Sequence, residues 1–200
     1  ALIHREPALA ESPTAYADLR DAALKPLMIL LAYPEKPAEA RPQTRLANPA
    51  VSAASGEGRV RLALVGAGGF AKGMHLPNIQ GLSDDYRLQA VVSRSGHNAQ
   101  AVARQYQARY ATTDVDEVLN DAEVDAVLIA TRHHLHAELT LRALQAGKHV
   151  MCEKPMALST DECESMVHAA AANDVHLAVA YYRRYFNTIL RQSGPDALFR

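Results

Sequence analysis

Cysteine is scarce in this chain. Cys152 and Cys163 are the only two in 200 residues, too few for a framework of disulfide staples, and both fall in segments whose pattern reads as buried. A reducing compartment, the cytoplasm, is therefore expected. An excess of charge of one sign is also lacking: 21 Lys and Arg against 22 Asp and Glu give a formal net charge of −1. A protein that tracks a phosphate backbone carries a basic surplus, so no nucleic acid partner is expected. Long apolar runs are missing as well. The longest aliphatic stretch, Leu27-Met28-Ile29-Leu30-Leu31-Ala32, falls far short of the ~20 residues a spanning helix needs, so no membrane partner is expected. The first residues resemble neither a signal peptide nor a targeting helix, and no internal repeat is visible. What remains is 48% apolar and 22% charged residues, the balance of a globular chain.

Proline, serine and glycine gather in one place. Pro34, Pro37, Pro42 and Pro49, with Ser52, Ser55, Gly56 and Gly58, mark a linker over 34–58. Ahead of it, Leu2-Ile3-His4-Arg5 reads as a short extended stretch, Ala15–Arg20 as a helix after Pro13, and Leu27–Tyr33 as a strand. Three elements of this size cannot bury a core alone, so 1–33 is expected to be the tail of an upstream domain. From Arg59 onward strands and helices alternate, which predicts an α/β fold with a doubly wound parallel sheet and right-handed crossovers. The expected strands are Leu62–Val65, Leu88–Val92, Ala126–Ala130, Lys148–Cys152 and Val175–Ala180. One helical stripe is Ala99, Val102, Ala103 and Tyr106, and another is Cys163, Met166, Val167 and Ala170. Ser159 and Glu162 have the spacing of a capping box, and Gly147 stands where the helix Leu135–Ala146 should end.

The run Arg59-Val-Arg-Leu-Ala-Leu-Val65 leads directly into Gly66-Ala67-Gly68-Gly69-Phe70-Ala71, a buried strand set against a glycine turn and a helix start. Such a turn cradles a dinucleotide. Gly66 permits the tight bend, Gly68 lets a pyrophosphate approach the backbone, and the third small position, Ala71, lets helix and strand pack closely. First-turn amides, reaching through Gly69 and Phe70, then face the phosphates with the positive end of the helix dipole behind them.

The end of the second strand bears on the choice of cofactor. NAD enzymes usually carry Asp or Glu there, about twenty residues past the glycine loop, to bind the ribose hydroxyls. This chain has Ser93-Arg94-Ser95. A guanidinium with no carboxylate beside it favours an extra phosphate, so NADP is preferred to NAD. The other reading leaves Arg94 in a solvated loop.

Four motifs, taken in order, carry a family resemblance: the Gly66 loop, Thr131 with His136 after the strand Ala126–Ala130, Glu153-Lys154-Pro155 after Lys148–Cys152, and Tyr181-Tyr182-Arg183-Arg184 after Val175–Ala180. From Arg59 to Phe186 the chain resembles the glucose-fructose oxidoreductase and inositol dehydrogenase family (Gfo/Idh/MocA). The resemblance implies a two-domain NAD(P)-dependent oxidoreductase acting on sugars, nucleotide sugars or cyclitols. Its cofactor-binding Rossmann half would occupy 59–182, and 183–200 would begin an α+β substrate domain whose body, with the family's proton-relay histidine and aspartate, lies past Arg200. Homo-oligomers would form through that second domain, and this stretch alone would bind cofactor without turnover.

The resemblance also assigns roles. The lysine of the Glu-Lys-Pro motif, here Lys154, would sit beside the nicotinamide and contact the reacting hydroxyl, where a cation eases loss of the proton as hydride leaves the carbon. Pro155 biases the backbone before it toward extended geometry at the ligand-binding edge of the sheet. The alternative for Lys154 is a plain surface lysine; for Glu153, a structural pair or cap. Thr131, His136, Glu153 and Arg183 join Gly66, Gly68, Gly69, Phe70, Ala71, Ser93 and Arg94 as candidate cofactor contacts, His136 being equally readable as a helix-start packing residue. Tyr181 and Tyr182 read as part core, part cofactor wall. Where the family usually has Thr-Pro-Asn this chain has Thr131-Arg132-His133, a departure on the nicotinamide side. His133, His134 and His136 do not read as zinc ligands, for no second cluster completes a set.

Residues 1–33 weakly resemble the closing strand, helix and strand of a medium-chain alcohol dehydrogenase, which would make the parent polypeptide a fusion of two dehydrogenases. A rival class is a non-catalytic module that holds or senses NADP. A sensor has no need of an ammonium beside the nicotinamide. A hydroxy-acid dehydrogenase would leave Glu153-Lys154-Pro155 unexplained.

Overall fold

The computed structural model describes residues 6–21, 23–24, 26–32, 45–51 and 58–181. The chain divides into two units, Ala1–Pro42 and Gln43–Arg200. The expected extended stretch Leu2–Arg5, and Tyr182, Arg183 and Tyr185–Leu190, lie outside the described residues.

In the first unit a 3-10 turn leads into α1 (Ser12–Arg20), opened by Pro13 where a missing N–H costs nothing. Pro7 and Ala15 are its buried residues among those described. Among its described residues, the stretch expected as a strand over Leu27–Tyr33 makes isolated bridges and no extended strand. A parallel bridge joins Ala8 to Ala32, with Leu9 N–H donating to Ala32 O and Ala32 N–H to Pro7 O. An apolar run becomes a strand when a neighbour satisfies its backbone and a core takes its side chains. Leu27 stays 80% exposed.

The second unit is a seven-stranded sheet, in spatial order β1-β4-β3-β2-β5-β6-β7. The strands are β1 (Leu46–Ala47), β2 (Val60–Val65), β3 (Tyr86–Val92), β4 (Tyr110–Thr112), β5 (Ala126–Ile129), β6 (His149–Cys152) and β7 (Leu177–Val179). All but β1 run parallel. The chain winds outward from β2 through β3 to β4, then returns to the other side of β2 to lay down β5, β6 and β7. The order reverses between β2 and β5, and ligands of such sheets bind at the carboxyl ends of the strands at that switch point.

Alternating side chains of the strands feed two cores. Leu62, Leu64, Leu88, Val91 and Leu128 pack with Ala71, Leu76 and the Ala99, Val102, Ala103 stripe of α3 (Gly96–Gln105). Ala63, Val65, Val127, Ile129, Val150 and Cys152 pack on the opposite face with Leu139, Ala143 and Leu144 of α5 (His136–Gln145) and Ala170 of α6 (Thr160–Ala172). Strands buried on both faces explain the near-continuous aliphatic runs of the sequence. Gly147 ends α5 at φ +70°, a conformation costly for any other residue. The capping box forms: Ser159 Oγ accepts from Glu162 N–H and the Glu162 carboxylate accepts from Ser159 N–H, each at 3.2 Å. Val167, expected in the α6 stripe, faces outward instead; Met166 and Ala170 alone are fully buried there.

The linker expected over 34–58 is not a linker throughout. Leu46–Ala47 pairs antiparallel with β4, and Asn48 is buried. Its amide donates to Ala103 O, near the end of α3, at 3.2 Å and to Ala108 O, in the turn before β4, at 3.0 Å. Arg45 lies 3.8 Å above the Tyr110 ring and pairs with Asp121 at 3.3 Å. The strand β4 is itself absent from the sequence expectation, since three residues are too few to display a period. Between β4 and β5 runs the short helix α4 (Val115–Leu119), started by Asp114 accepting from Asp116 N–H.

Candidate cofactor-binding site

The glycine loop leaves β2 at Gly66, held at φ +103°. A Cβ there would stand 2.6 Å from Ala130 O, so the end of β2 and the end of β5 touch backbone to backbone and only glycine fits. Gly66 N–H donates to Val92 O at 3.0 Å and Ala130 N–H to Val65 O at 2.8 Å, which locks the loop between β3 and β5. In front of Gly68 and Gly69 the situation is opposite. Nothing lies within 4 Å of a Cβ placed on either, leaving open space beside backbone amides. Ala71, the third small position, is fully buried against the sheet. Gly66, Gly68 and Ala71 thus show a close backbone approach, open space and tight packing in turn.

The helix opening at Gly69 is not regular. Ala71–His75 forms a π turn before α2 (Leu76–Gly81). Pro77 supplies the cause, since its ring cannot share an α-helical turn with the carbonyl four residues back, and a wider turn relieves the clash. Asn98, on the first turn of α3, ties this segment to the sheet. Its amide donates to Ala67 O at 2.9 Å and Ser93 Oγ at 3.0 Å, and Lys72 Nζ donates to its Oδ1. Ser93 follows the last residue of β3, half-buried, and Arg94 is exposed beside it.

Across the switch point, β6 ends at Cys152, whose thiol burial pushes up to about 11 and so keeps inert. Glu153 N–H donates to Ile129 O at 2.9 Å. The Glu153 side chain turns inward, 7% exposed, and its Oε1 faces His75 Nε2 at 2.8 Å while Oε2 accepts from Lys154 N–H at 3.1 Å. Lys154 points outward, its Nζ 5.9 Å from the centre of the Phe70 ring. Phe70 in turn meets the His75 ring edge to face, 5.4 Å between centroids. Glycine-loop helix and Glu-Lys-Pro turn therefore converge on Phe70, His75, Glu153 and Lys154. No ion pair engages the Lys154 ammonium among the described residues.

Thr131 follows β5, half-buried, its hydroxyl 3.4 Å from Arg132 O. His136 is a different matter. It is fully buried, with Nδ1 2.7 Å from Pro155 O and Nε2 3.3 Å from Thr131 O. A direct cofactor contact does not fit a side chain closed off in this way. His136 bridges the turns after β5 and β6. His133 stacks edge to face on it, and among the described residues no three His, Cys, Asp or Glu side chains gather as metal ligands would. Arg183 and Tyr182 fall outside the described residues, while Tyr181 is exposed.

Sequence reasoning missed two residues here. Asn98 looked like one more polar position on α3, and His75 lay in a segment whose π turn breaks the 3.6-residue period that would have shown which way it faces. A histidine nine residues after Gly66, two before a proline, was the available signal.

A positive-φ glycine pressed on a neighbouring strand, open amides after it and an ammonium opposite that pairs with none of the described residues are the features of a dinucleotide-binding domain. Residues 60–181 match the family model described as GFO_IDH_MocA, the oxidoreductase family with an NAD-binding Rossmann fold, and the chain belongs to that family. Among curated relatives, scyllo-inositol 2-dehydrogenase (NADP(+)) IolU of Bacillus subtilis is 42% identical over 97 residues, 48% of this chain and 30% of the relative. The 1,5-anhydro-D-fructose reductase of Ensifer adhaerens is 34% identical over 138 residues, 69% of this chain and 40% of the relative. The crystal structure of the WlbA dehydrogenase from Chromobacterium violaceum, bound to NADH and UDP-GlcNAcA, aligns with a TM-score of 0.64 at 28% identity, covering 70% of this chain and 40% of that one. KijD10, a 3-ketoreductase from Actinomadura kijaniata, shares the fold at 24% identity and a TM-score of 0.64, covering 70% of this chain and 43% of that one. The chain spans between 25% and 40% of the length of the curated relatives it matches. The resemblance of residues 1–33 to an alcohol dehydrogenase finds no support in these comparisons.

Proposed function

We propose that this chain forms the cofactor-holding part of an NADP-preferring dehydrogenase or reductase that interconverts a hydroxyl and a carbonyl on a sugar, nucleotide sugar or cyclitol. The observation that carries this reading is the meeting of Lys154 and Phe70 across the switch point, beside the open amides of Gly68 and Gly69. The relatives point the same way: one is named for NADP and an inositol, another for an anhydrofructose, and a structural neighbour was crystallised with NADH and a UDP-sugar.

In this reading the glycine-loop amides bind the pyrophosphate, and Ala71 keeps the helix close enough for them to reach it. Arg94, exposed at the end of β3 where no carboxylate stands, pairs with a 2′-phosphate. The bound nicotinamide supplies or takes the hydride. Lys154 presents its ammonium to the substrate oxygen, orienting it and stabilising the negative charge that grows there as the proton leaves or before it arrives. Phe70 forms an apolar wall beside that ammonium, lowering the local dielectric and strengthening its pull. Glu153 stays behind the turn, engaged with His75 and the Lys154 amide, where it does not neutralise the cation.

Titrating the chain with NADPH and NADH by cofactor fluorescence tests the binding half of this assignment. Tighter binding of NADPH by about tenfold is the expected result; equal binding or a preference for NADH overturns the role of Arg94, and binding of neither overturns the site.

A further inference from the structure

We propose that His75 is the positioning residue of this site: through the Glu153 carboxylate it fixes the turn from which Lys154 projects, and thereby places the ammonium against the nicotinamide. The inference rests on the nicotinamide reading of the site given above.

Four contacts close a ring that joins two segments far apart in sequence. His75 Nε2–H donates to Glu153 Oε1 at 2.8 Å, and Glu153 Oε2 accepts from Lys154 N–H at 3.1 Å. Lys154 Nζ stands 5.9 Å from the Phe70 ring, and Phe70 meets the imidazole edge to face at 5.4 Å. The Glu153 and His75 side chains are 7% and 11% exposed. A carboxylate so enclosed needs donors for both oxygens. Here each oxygen has one, and one of the two is the amide of Lys154 itself. Removing the imidazole frees Oε1 to seek another donor, and the second oxygen moves with it, carrying the amide that anchors Lys154.

The π turn explains why a histidine reaches this place. Pro77 imposes the wide turn over Ala71–His75, so the residue closing that turn is set by the backbone and not by a flexible loop. The same helix starts at the glycine loop. Pyrophosphate amides and lysine position are thus mounted on one rigid piece, and a cofactor seated on the first meets a correctly placed ammonium without further adjustment. His75 touches neither reacting atom in this arrangement; it acts on Lys154 through Glu153.

The discriminating experiment compares NADPH with 2′-phospho-ADP-ribose, which lacks only the nicotinamide. Both are titrated against the wild-type chain and against His75→Ala and His75→Gln, with thermal melts as the check on folding. For His75→Ala the expected result is a loss of about fivefold in NADPH affinity and less than about twofold in that of 2′-phospho-ADP-ribose. His75→Gln, whose amide can still donate to Glu153, should recover most of the difference. If His75→Ala melts too low for binding to be read, His75→Phe replaces it, keeping the ring edge against Phe70 without the donor. Equal losses for both ligands, no loss for either, or a glutamine variant no better than alanine overturns the positioning role. A wild-type chain that binds neither ligand overturns the cofactor reading itself.

Discussion

The two edges of the same parallel sheet use charge in opposite ways. At the amino edge every charged group in the cluster has a partner. Arg61 Nη2 reaches Asp125 Oδ1 at 2.6 Å, its Nε and its own backbone N–H share Asp125 Oδ2 at 2.9 and 2.8 Å, and Nη1 pairs with Glu123 at 3.0 Å. The buried Lys148 donates to Asp121 O at 2.8 Å and Val124 O at 2.9 Å. Hydrogen bonds from Arg61 hold the Asp125 carboxyl below its usual range, Asp125 raises the guanidinium in return, and burial lowers Lys148. These groups lock β2, β5 and β6 in register at their starts. At the carboxyl edge Lys154 and Arg94 face outward, and the one enclosed pair, His75 with Glu153, lies beneath the ammonium. Within one sheet, the edge whose charges are satisfied holds the fold, and the edge that leaves charge and amides unspent is the one proposed to hold the cofactor.

Substitutions at the two edges should therefore separate stability from chemistry. The largest effect is expected for Lys154→Ala in the complete polypeptide, with turnover falling by roughly 100-fold or more while NADPH affinity falls only by about fivefold, as for His75→Ala; steady-state kinetics with a parallel cofactor titration checks this, and undiminished turnover breaks the comparison at its most important point. Gly66→Ala comes next. Its backbone at φ +103° and the 2.6 Å approach to Ala130 O should abolish cofactor binding and destabilise the domain by about 1–3 kcal/mol from backbone strain alone, read by calorimetry of the free and cofactor-loaded chain.

Arg94→Ala should weaken NADPH by about tenfold and leave NADH within about twofold, with no change in melting temperature. The smallest effect belongs to the other edge. Asp125→Ala should cost about 1 kcal/mol once solvent screening of this part-exposed pair is allowed for, with cofactor affinity untouched. Because the folded carboxyl is held below its unfolded value, its stabilisation is present above about pH 4 and is lost as pH falls through the lower folded value. Melting curves of wild type and variant should thus converge in acid and stay apart near neutrality. A gap that widens in acid would reverse the sign of the Arg61 interaction.

The carboxyl edge was the more legible of the two from sequence. Glycines at a strand end and a proline after a lysine are backbone devices, and backbone devices leave a mark on residue type: Gly66, Gly68, Ala71 and Pro155 could be read directly. The strands from Leu62 to Val179, short β4 excepted, were visible for a similar reason, since burial on both faces writes itself as aliphatic runs. What failed to show depends on partners distant in sequence. Asn48 is one polar residue in a proline-rich stretch until the end of α3 and the turn after it each present a carbonyl to it. The inward turn of His75 depends on a π turn outside any regular period, and the closure of His136 depends on Pro155 O arriving from another strand. Leu27–Tyr33 erred the other way: its composition suits a strand, yet among the described residues it makes only isolated bridges and Leu27 stays 80% exposed.

The brevity of the strands at the two borders has a consequence beyond the site. Among the described residues, one border is the two-residue β1 laid antiparallel on β4 and the other is the three-residue β7. Neither is long enough to template the backbone of a foreign strand, so among these residues the sheet offers only stubs for one copy to zip onto the next.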